Sequence, residues 1–274
     1  MDNQYRKFQL DDLPSNEIHV ALKPQMAKSF LSSLLYNHSI EKLCEEAEVW
    51  PVTFKKWIKQ SENSNNPPFF RLDKLRHLIA LLSSDELTFI SDIEKEVLAL
   101  RGYGGSGILW NPHIPIEEDA NLVRVVVHLI GDGYVPKDRA TTRVPSYSNS
   151  NDFLRAQFVE CLSSSLGDVS GCIREYIDKS VHQRSYIAFA QWIGYIIRHL
   201  YPDAKFDEIH GSLPSTFLQL PLELKCEIIR TFGDDDGHVG AHCIRFTSGG
   251  ATILEQMRQL IVELMEATLP SEKF

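Results

Sequence analysis

Apolar residues near the start of the chain recur at the spacing of an α-helix. They fall on one face when the sequence is wound at about 3.6 residues per turn. Five residues form this stripe: Met26, Phe30, Leu31, Leu34 and Leu35. Pro24 stands just before them, where a helix tolerates proline because its first amides have no partner inside the helix. The pattern predicts a helix that begins near residue 24.

Two shorter helices are predicted next, over residues 40–47 and 52–59. Ser39 precedes the first and Pro51 precedes the second, and both residue types favour helix starts. The second helix would carry three lysines on its outer face: Lys55, Lys56 and Lys59. This pattern is typical of a helix-turn-helix, whose second helix enters the major groove of DNA. A small helical bundle with merely solvated lysines is the alternative, because the motif is short and degenerate.

Further amphipathic segments, over residues 72–82 and 87–100, predict two more helices. Residues 101–107 are rich in glycine, but they lack the lysine and the glycine spacing of a phosphate-binding loop. We interpret them as a linker. We therefore expect an N-terminal helical domain over residues 1–105 and a second domain over residues 106–274.

Two related stretches dominate the second part of the sequence. Residues 125–135 read VVVHLIGDGYV, and residues 227–240 read EIIRTFGDDDGHVG. In each, an apolar helical run stops at Asp-Gly and continues into strand-forming residues. The two aspartates, Asp132 and Asp236, lie 104 residues apart (236 minus 132). Two similar units, each delivering one carboxylate from the end of a helix, suggest a site with approximate twofold symmetry.

A glycine follows each of these aspartates, as Gly133 and Gly237. Glycine after a helical run is a favoured cap, because it adopts positive φ without the penalty of a Cβ atom. Each carboxylate would then lie beside carbonyl groups that the helix leaves unbonded. Such a pair suits a divalent metal ion and a symmetric substrate such as duplex DNA. A tight helix exit without further function is the alternative reading of an Asp-Gly pair.

Both stretches resemble the two motifs of single-chain LAGLIDADG homing endonucleases. The flanking sequence is similar to that family as well: a strand with a Tyr-Ser-Asn turn and an amphipathic helix over residues 143–154, a lead-in over residues 213–225, and a strand and helix over residues 244–254. The resemblance covers roughly residues 112–268. It implies an α+β fold with two αββα repeats, at about residues 115–210 and 211–274, of which the second is shorter, as if truncated.

The resemblance also implies a catalytic site. Asp132 and Asp236 would be the catalytic metal ligands, with Gly131 and Asp235 beside them, and the cofactor would be magnesium, Mg²⁺. Metal-activated water would hydrolyse one phosphodiester bond in each DNA strand. Asp235 replaces the small residue that the family carries there, and a solvated acidic turn is the alternative explanation of the three adjacent carboxylates.

The strands after each motif are expected to contact DNA, because alternating strand side chains can meet bases and phosphates. The expected contacts are Lys137, Arg139, Arg143 and Tyr147 in the first half and His242, Arg245 and Thr247 in the second. Arg184 and Arg245 are candidates for helping to hold water and the scissile phosphate, and a surface role is the alternative for each. A half-solvated sheet face without DNA is the alternative.

Composition limits the classes of protein that remain. No apolar run is long enough to span a bilayer, and residues 1–6 contain no apolar core of a signal peptide, so we expect a cytoplasmic protein. Five cysteines without paired spacing predict reduced thiols rather than a zinc site. The net charge of −9 opposes DNA binding unless the basic residues share a face. The charge is uneven: residues 20–83 hold nine Lys and Arg against six Asp and Glu, whereas residues 206–274 hold five against eleven.

The sequence thus predicts a monomeric, site-specific, metal-dependent DNA endonuclease of LAGLIDADG type with internal pseudo-twofold symmetry. A catalytically inactive DNA-binding transcriptional regulator with the same fold is the second hypothesis. The bulky residues Val127, His128 and Thr231 favour it, because the family packs its motif helices closely through small residues. A protein-interaction module without DNA affinity is the third.

Overall fold

The computed structural model describes residues 5–63, 66–82, 93–104, 107–137, 143–177, 185–206, 210–239 and 243–268. Over these residues the chain is a mixed α+β protein with antiparallel sheets, and its contacts divide it into two units. The N-terminal unit contains residues 7–116 together with residues 166–172. The C-terminal unit contains residues 5–6, 117–165 and 173–268.

The N-terminal unit combines helices with a four-stranded antiparallel sheet of order β3-β2-β4-β5. Its elements are β1 (Lys7–Phe8), β2 (Ile18–Leu22), α1 (Pro24–Asn37), α2 (Ile40–Glu46), α3 (Pro51–Ser61), β3 (Phe69–Arg71), α4 (Leu72–Ile79), β4 (Val97–Gly102), β5 (Ile108–Trp110) and the start of β6 (Ile116–Glu117). A short 3₁₀ turn covers Leu10–Asp12, and another covers Ser170–Cys172.

The first three predicted helices are confirmed. Pro24 and Pro51 occupy the first positions of α1 and α3, where their missing amide hydrogens cost nothing. Ser39 caps α2, and its side chain accepts a hydrogen bond from the Lys42 amide at 3.3 Å.

The helical bundle expected over residues 1–105 is only part of this unit, because the unit also contains a four-stranded sheet. Strand β2 lies at the centre of that sheet with Val20 and Ala21 completely buried. The predicted helix over residues 87–100 ends instead in β4, and residues 83–92 lie outside the described residues. Short apolar runs of this kind fit a strand and a buried helix equally well, so periodicity alone cannot separate them.

The glycine-rich run at residues 101–107 connects two strands rather than two domains. Gly104 and Gly107 flank the connection with φ of +93° and +80°, a region that side chains rarely adopt. The expected boundary between residues 105 and 106 therefore falls within the β4–β5 hairpin. The change from the N-terminal to the C-terminal unit comes after Ile116.

A short segment from later in the chain, residues 166–172, completes the N-terminal unit. The Asp168 amide donates to the Trp110 carbonyl at 3.2 Å, and the His113 amide donates to the Leu166 carbonyl at 3.0 Å. Gly171 packs so closely on the Ile108 carbonyl that a Cβ atom there would lie 2.9 Å from it. The segment therefore lies beside β5, at the edge of the four-stranded sheet.

In the C-terminal unit each motif helix is followed by two strands and a helix, and the first such run continues with two more strands and a further helix. Its elements are α5 (Ala120–Gly131), β7 (Gly133–Tyr134), β8 (Ser146–Ser148), α6 (Asp152–Leu166), β9 (Ile173–Tyr176), β10 (Tyr186–Phe189), α7 (Gln191–Leu200), α8 (Leu222–Asp236), β11 (Gly237–Val239), β12 (Ile244–Phe246) and α9 (Ala251–Thr268). One antiparallel sheet has the order β7-β8-β10-β9, and β11 pairs with β12 in a separate hairpin. A 3₁₀ turn at Ser215–Gln219 precedes α8.

Helix α5 lies in the core of this unit. Every residue from Val125 to Gly131 is buried, which is expected for a helix that is apolar on all sides. Asp119 caps its start by accepting hydrogen bonds from two backbone amides, at 3.0 Å each. Helices α5 and α8 pack against each other, and α8 also contacts α9. No helix among the described residues has the length and apolar character required to cross a membrane.

Candidate functional site

The two sequence motifs meet where α5 and α8 pack side by side. Asp132 directly follows the last residue of α5, and Asp236 is the last residue of α8. Farther along the helices, an ion pair joins them: Arg124 Nη2 lies 2.6 Å from Glu227 Oε2. Both side chains of this pair are about four-fifths buried, since they are 21% and 23% exposed, so the pair fixes the two helices in register.

The two helix ends make the same backbone contact. The Ser148 amide donates to the Asp132 carbonyl at 2.9 Å, and the Thr247 amide donates to the Asp236 carbonyl at 3.0 Å. Each accepting carbonyl belongs to the motif aspartate. The donor Ser148 is the last residue of β8, and the donor Thr247 directly follows β12. Both aspartates are partly exposed. The two motif aspartates therefore make the same backbone contact at the two helix exits.

The glycines at these exits serve a different purpose from the one expected. Neither has positive φ, and Gly237 has extended backbone with φ −94° and ψ 154°. Steric space explains them instead: a Cβ atom on Gly133 would lie 2.4 Å from Leu129 Cα, and one on Gly237 would lie 2.2 Å from the Gly233 carbonyl. The strand leaves so tightly over the last helical turn that no side chain fits.

Asn149 contacts the first motif aspartate. Its Nδ2 donates to Asp132 Oδ2 at 2.8 Å, while its own Oδ1 accepts from the Asn151 amide at 2.9 Å. The second bond holds the Asn149 side chain in place, so that it orients the Asp132 carboxylate. Our sequence reasoning used the Tyr-Ser-Asn turn to support the family resemblance but missed this role of its asparagine.

Asp235 lies in the interior rather than in a solvated turn. Its side chain is 0% exposed, although its backbone is partly open. Tyr147 Oη donates to Asp235 Oδ1 at 2.6 Å, and His128 Nδ1 lies 2.8 Å from Asp235 Oδ2. The two donors come from the first motif and its strand β8, so Asp235 joins the two halves. Because both of its oxygens bind protein groups, we interpret Asp235 as a member of this buried network rather than as the expected metal ligand.

Gly131 provides the space that Asp235 occupies. A Cβ atom on Gly131 would lie 3.2 Å from Asp235 Oδ2 and 3.3 Å from Asp235 Cβ. Gly131 directly precedes Asp132, and Asp235 directly precedes Asp236. The two positions correspond, but the first holds a glycine and the second an acidic residue. The helices can therefore approach closely despite the carboxylate, because Gly131 has no side chain.

Tyr147 is a structural donor, and its expected contact with DNA is corrected. Its side chain is completely buried and stacks on Phe158 with ring centroids 4.7 Å apart. Burial raises the pKa of Tyr147 far above its usual value, and the negative charges of Asp235 and Asp132 raise it further. The hydroxyl therefore keeps its proton and remains a donor to Asp235.

His128 completes the network from α5. Its Nε2 is buried and has no hydrogen-bond partner among the described residues, and its ring meets Phe158 edge-on. With a proton on Nδ1, the ring donates to the Asp235 carboxylate, which can only accept. His128 is thus an interior hydrogen-bonded group.

The sheet has one buried face and one partly open face. Register places Tyr147 opposite Gly133 and Ile187, on the side that packs against the helices. The other face carries alternating polar and aromatic side chains that are partly or fully exposed: Tyr134, Ser146, Ser148, Arg174, Tyr176 and Tyr186.

Basic residues stand at the edge of this open face and on the second hairpin. Arg143 is exposed, and its guanidinium lies over the Tyr134 ring, 4.0 Å from the centroid. Lys137, six residues earlier in the sequence (143 minus 137), is also exposed. In the second hairpin Arg245 lies opposite His238, and both are exposed, as is Thr247. Arg139, Arg184 and His242 lie outside the described residues.

The lysines of α3 are exposed as expected. Lys55, Lys56 and Lys59 face solvent, while Phe54 and Trp57 are buried in the N-terminal unit. The sequence correctly separated the inner and outer faces of this helix. Exposure makes the lysines accessible to a phosphate backbone.

The two motif aspartates supply some, but not all, of the ligands that a magnesium ion requires. Within the described part of the chain, no three His, Cys, Asp or Glu side chains form a group that could hold a metal. Mg²⁺, however, is commonly held by one or two carboxylates with substrate phosphates and water as the remaining ligands. Asp132 and Asp236 supply carboxylates of that kind, at helix ends that remain partly open to solvent.

No family model matches the chain, and no curated protein is significantly similar to it.

Proposed function

We propose that the C-terminal unit binds duplex DNA and cuts both strands by metal-dependent hydrolysis. The observation that carries this proposal is the pair of equivalent helix exits, where Asp132 and Asp236 each accept a backbone hydrogen bond from the second strand of the adjoining hairpin. Duplex DNA has local twofold symmetry, so two equivalent carboxylates suit its two strands. The repeated order of helix, strand, strand and helix supports the same reading.

The chain's own residues would divide the work between binding and positioning. Arg143 and Arg245 are exposed on the two hairpins and would bind phosphates, and the open sheet face would lie toward the base edges. Asn149 would hold the Asp132 carboxylate in one orientation through their 2.8 Å hydrogen bond. Asp132 and Asp236 would hold Mg²⁺, which supplies activation of water and stabilisation of the developing charge.

A second candidate is a DNA-binding regulator without cleavage. The buried network of Asp235, His128 and Tyr147 favours it, because a polar cluster occupies the interface next to the motif aspartates. Val127 and Thr231 are buried in the packed helices as well. A site that must be placed within about 0.5 Å for catalysis tolerates little displacement by such groups.

Incubation of the full chain with a randomised duplex library and Mg²⁺ tests both candidates. Bound and cut molecules are sequenced separately for the natural chain and for Asp132→Asn and Asp236→Asn. Asp234→Asn is the matched control, since Asp234 is an exposed acid two positions before Asp236. We expect defined double-strand cuts that both motif variants reduce by at least about 100-fold and that the control retains.

Other results would reject the nuclease. Selective binding without cuts at any Mg²⁺ concentration would leave the regulator. Cuts that persist in both motif variants would show that other residues, or a contaminant, carry the activity. Absence of any salt-sensitive DNA binding would reject both candidates.

A further inference from the structure

The N-terminal unit contains a large cavity of about 1000 Å³. It opens between the start of α3 and the sheet, and all of its lining residues belong to this unit. Ligand pockets commonly have volumes of about 300–1000 Å³, so this space is sufficient for a small molecule or for one unit of a polymer. Its position is separate in the chain from the two motif aspartates.

Cations dominate the lining of the cavity. Among the described residues, four basic side chains and one acidic side chain line it: Lys56, Arg71, Lys74 and Arg101 against Glu48. This balance contrasts with the whole chain, whose net charge is −9. A concave surface with one sign of charge concentrates ions of the opposite sign, so the cavity favours an anion.

Two of the four cations are already paired inside the protein. Lys74 forms ion pairs with Glu48 and Asp73, and Arg71 binds Asp73 through two hydrogen bonds of 2.6 Å. These pairs build a rigid wall. Lys56 and Arg101, in contrast, form no ion pair with a described residue.

Arg101 is the more informative of the unpaired cations. Its guanidinium lies over the Phe69 ring, 4.1 Å from the centroid, and burial lowers its pKa. A partly buried guanidinium that donates no hydrogen bond to any described residue has lost water without gaining an acceptor. An anionic ligand with oxygen acceptors would supply those bonds, and phosphate geometry suits the guanidinium fork.

His19 adds a second polar group without a partner. Its Nδ1 is buried and has no hydrogen-bond partner among the described residues. Burial, with the positive charges of Arg101 and Arg71, lowers the pKa of His19 to about 4. At neutral pH the ring is therefore uncharged and can give or accept one hydrogen bond with a ligand.

Aromatic side chains surround the same cavity. Trp50 is 79% exposed and Tyr103 is 67% exposed, while Trp110 is also partly open. Single exposed aromatics are ordinary, but several around one concave and cationic surface mark a binding site. Exposed rings next to cations are the combination on which nucleic-acid bases stack while their phosphates are neutralised.

We infer that this cavity binds a nucleotide, with its base against Trp50 or Tyr103 and its phosphate at Arg101 and Lys56. The nucleotide can be a free mononucleotide or the terminal unit of a single strand, since both offer a planar base and a phosphate. This site does not depend on DNA cleavage by the C-terminal unit.

Calorimetric titration of the full chain with four probes tests the inference. The probes are AMP, a short 5′-phosphorylated single-stranded deoxyoligonucleotide, adenosine and inorganic phosphate. AMP, the oligonucleotide or both should bind at least tenfold more tightly than adenosine and phosphate. Binding of AMP identifies a free nucleotide as a sufficient ligand, and binding of the oligonucleotide alone identifies a strand end.

Variants with matched controls locate the site. Arg101→Gln and Trp50→Ala should each weaken binding about tenfold or more. Lys56→Ala should weaken it, whereas the adjacent and exposed Lys55, which does not line the cavity, should tolerate alanine. Tyr36→Ala is the control for Trp50, since Tyr36 is 91% exposed on α1 and outside the cavity.

Several outcomes would overturn the inference. Equal affinity for phosphate and AMP would show an anion site without a base. No binding of any probe, or binding that survives both Trp50→Ala and Lys56→Ala, would exclude a nucleotide at this cavity. These two side chains are exposed, so their variants remain informative even if Arg101→Gln does not fold.

Discussion

At the residue scale, Asp235 joins the two halves of the C-terminal unit. It lies on α8, yet both of its carboxylate oxygens bind groups from the first half, His128 and Tyr147. Removing one partner from a buried polar network leaves the others without hydrogen bonds, and that loss exceeds the value of the bond itself. Asp235 is therefore expected to contribute strongly to stability.

The first prediction concerns this carboxylate. Asp235→Ala should lower the free energy of unfolding by about 2–4 kcal/mol, because it leaves buried donors on Tyr147 and His128 unsatisfied. Urea denaturation followed by circular dichroism measures the loss. Asp234→Ala is the control: the exposed neighbour should change stability by no more than about 0.5 kcal/mol. Equal effects of the two variants would contradict the network.

A second prediction at this scale concerns pH and His19. The pKa of His19 in the folded chain is about 4, mainly because of burial, against an ordinary value of 6.5. Between these pH values the unfolded chain binds a proton that the folded chain does not, so stability falls as pH falls from 6.5 toward 4. Arg101 and Arg71 oppose the charged ring, whereas Asp73 favours it.

His19→Gln should therefore reduce the acid-induced loss of stability over this range. The measurement is the urea midpoint of the natural chain and the variant at intervals between pH 4 and 7. The stability of the natural chain relative to that of the variant should fall as pH falls, because only the natural chain takes up this proton on unfolding. Parallel curves would show that His19 binds its proton equally in the folded and the unfolded chain.

The sequence showed which residues were unusual in the candidate site but not which way their side chains point. Tyr147 lies one position away from two residues of the open face, and a shift by one residue along a strand reverses the face of every side chain. Register depends on pairing with β7 and β10, which no local pattern reveals. Asp235 was recognisable as a departure from the family pattern, yet its burial depends on partners more than 80 residues away in sequence.

At the scale of elements, the exits of α5 and α8 depend on tight steric fit. Glycine is required at both exits, because each strand leaves directly over the backbone of the preceding helical turn. The sequence predicted glycine at these places for its freedom in φ, whereas the structure uses its lack of a side chain. The motif predicted where the two glycines stand, but it did not predict the close backbone contact that requires them.

A pair of alanine substitutions distinguishes Gly237, at the exit of α8, from Gly233 inside that helix. Gly237→Ala should lower the free energy of unfolding by at least about 1–3 kcal/mol, because its Cβ would lie 2.2 Å from the Gly233 carbonyl. Gly233→Ala should be neutral or raise it by up to about 1 kcal/mol, since its Cβ would make an ordinary contact at 3.4 Å with Phe246. Thermal or urea unfolding measures both. Equal destabilisation would show that the exit is not the constraint.

The helices of the N-terminal unit were easier to predict than its strands. Stripes of apolar residues and residues typical of helix starts defined α1, α2 and α3 nearly to the residue. The strands β2 and β4 have few exposed positions, so they lack the alternation that reveals a half-buried strand. The same limitation produced the helix predicted over residues 87–100.

At the scale of the whole molecule, charge is the main obstacle to the proposed function. The chain has a net charge of −9, so DNA binding requires that basic groups act locally. Arg143 and Arg245 are exposed on the two hairpins of the C-terminal unit and satisfy that condition for each half.

Reversal of these charges should weaken DNA binding and its salt dependence. Arg143→Glu and Arg245→Glu should each reduce affinity for duplex DNA, and each should lower the slope of log affinity against log salt by about 0.9. Fluorescence anisotropy at several salt concentrations measures both quantities. Arg258→Glu is the control, because it makes the same charge change on α9, away from the strands. Three equal losses would point to net charge alone rather than to a DNA-binding face.

The N-terminal unit depends on a segment that the ribosome makes much later. Residues 7–116 are synthesised first, but the backbone partners of Trp110 and His113 come from residues 166–172, after α5, β7, β8 and most of α6. During synthesis the nascent chain therefore presents β5 as an open strand edge, and such edges pair readily with other chains. Translation speed between codons 116 and 172 thus becomes a determinant of yield, and a pause there should favour aggregation over native closure.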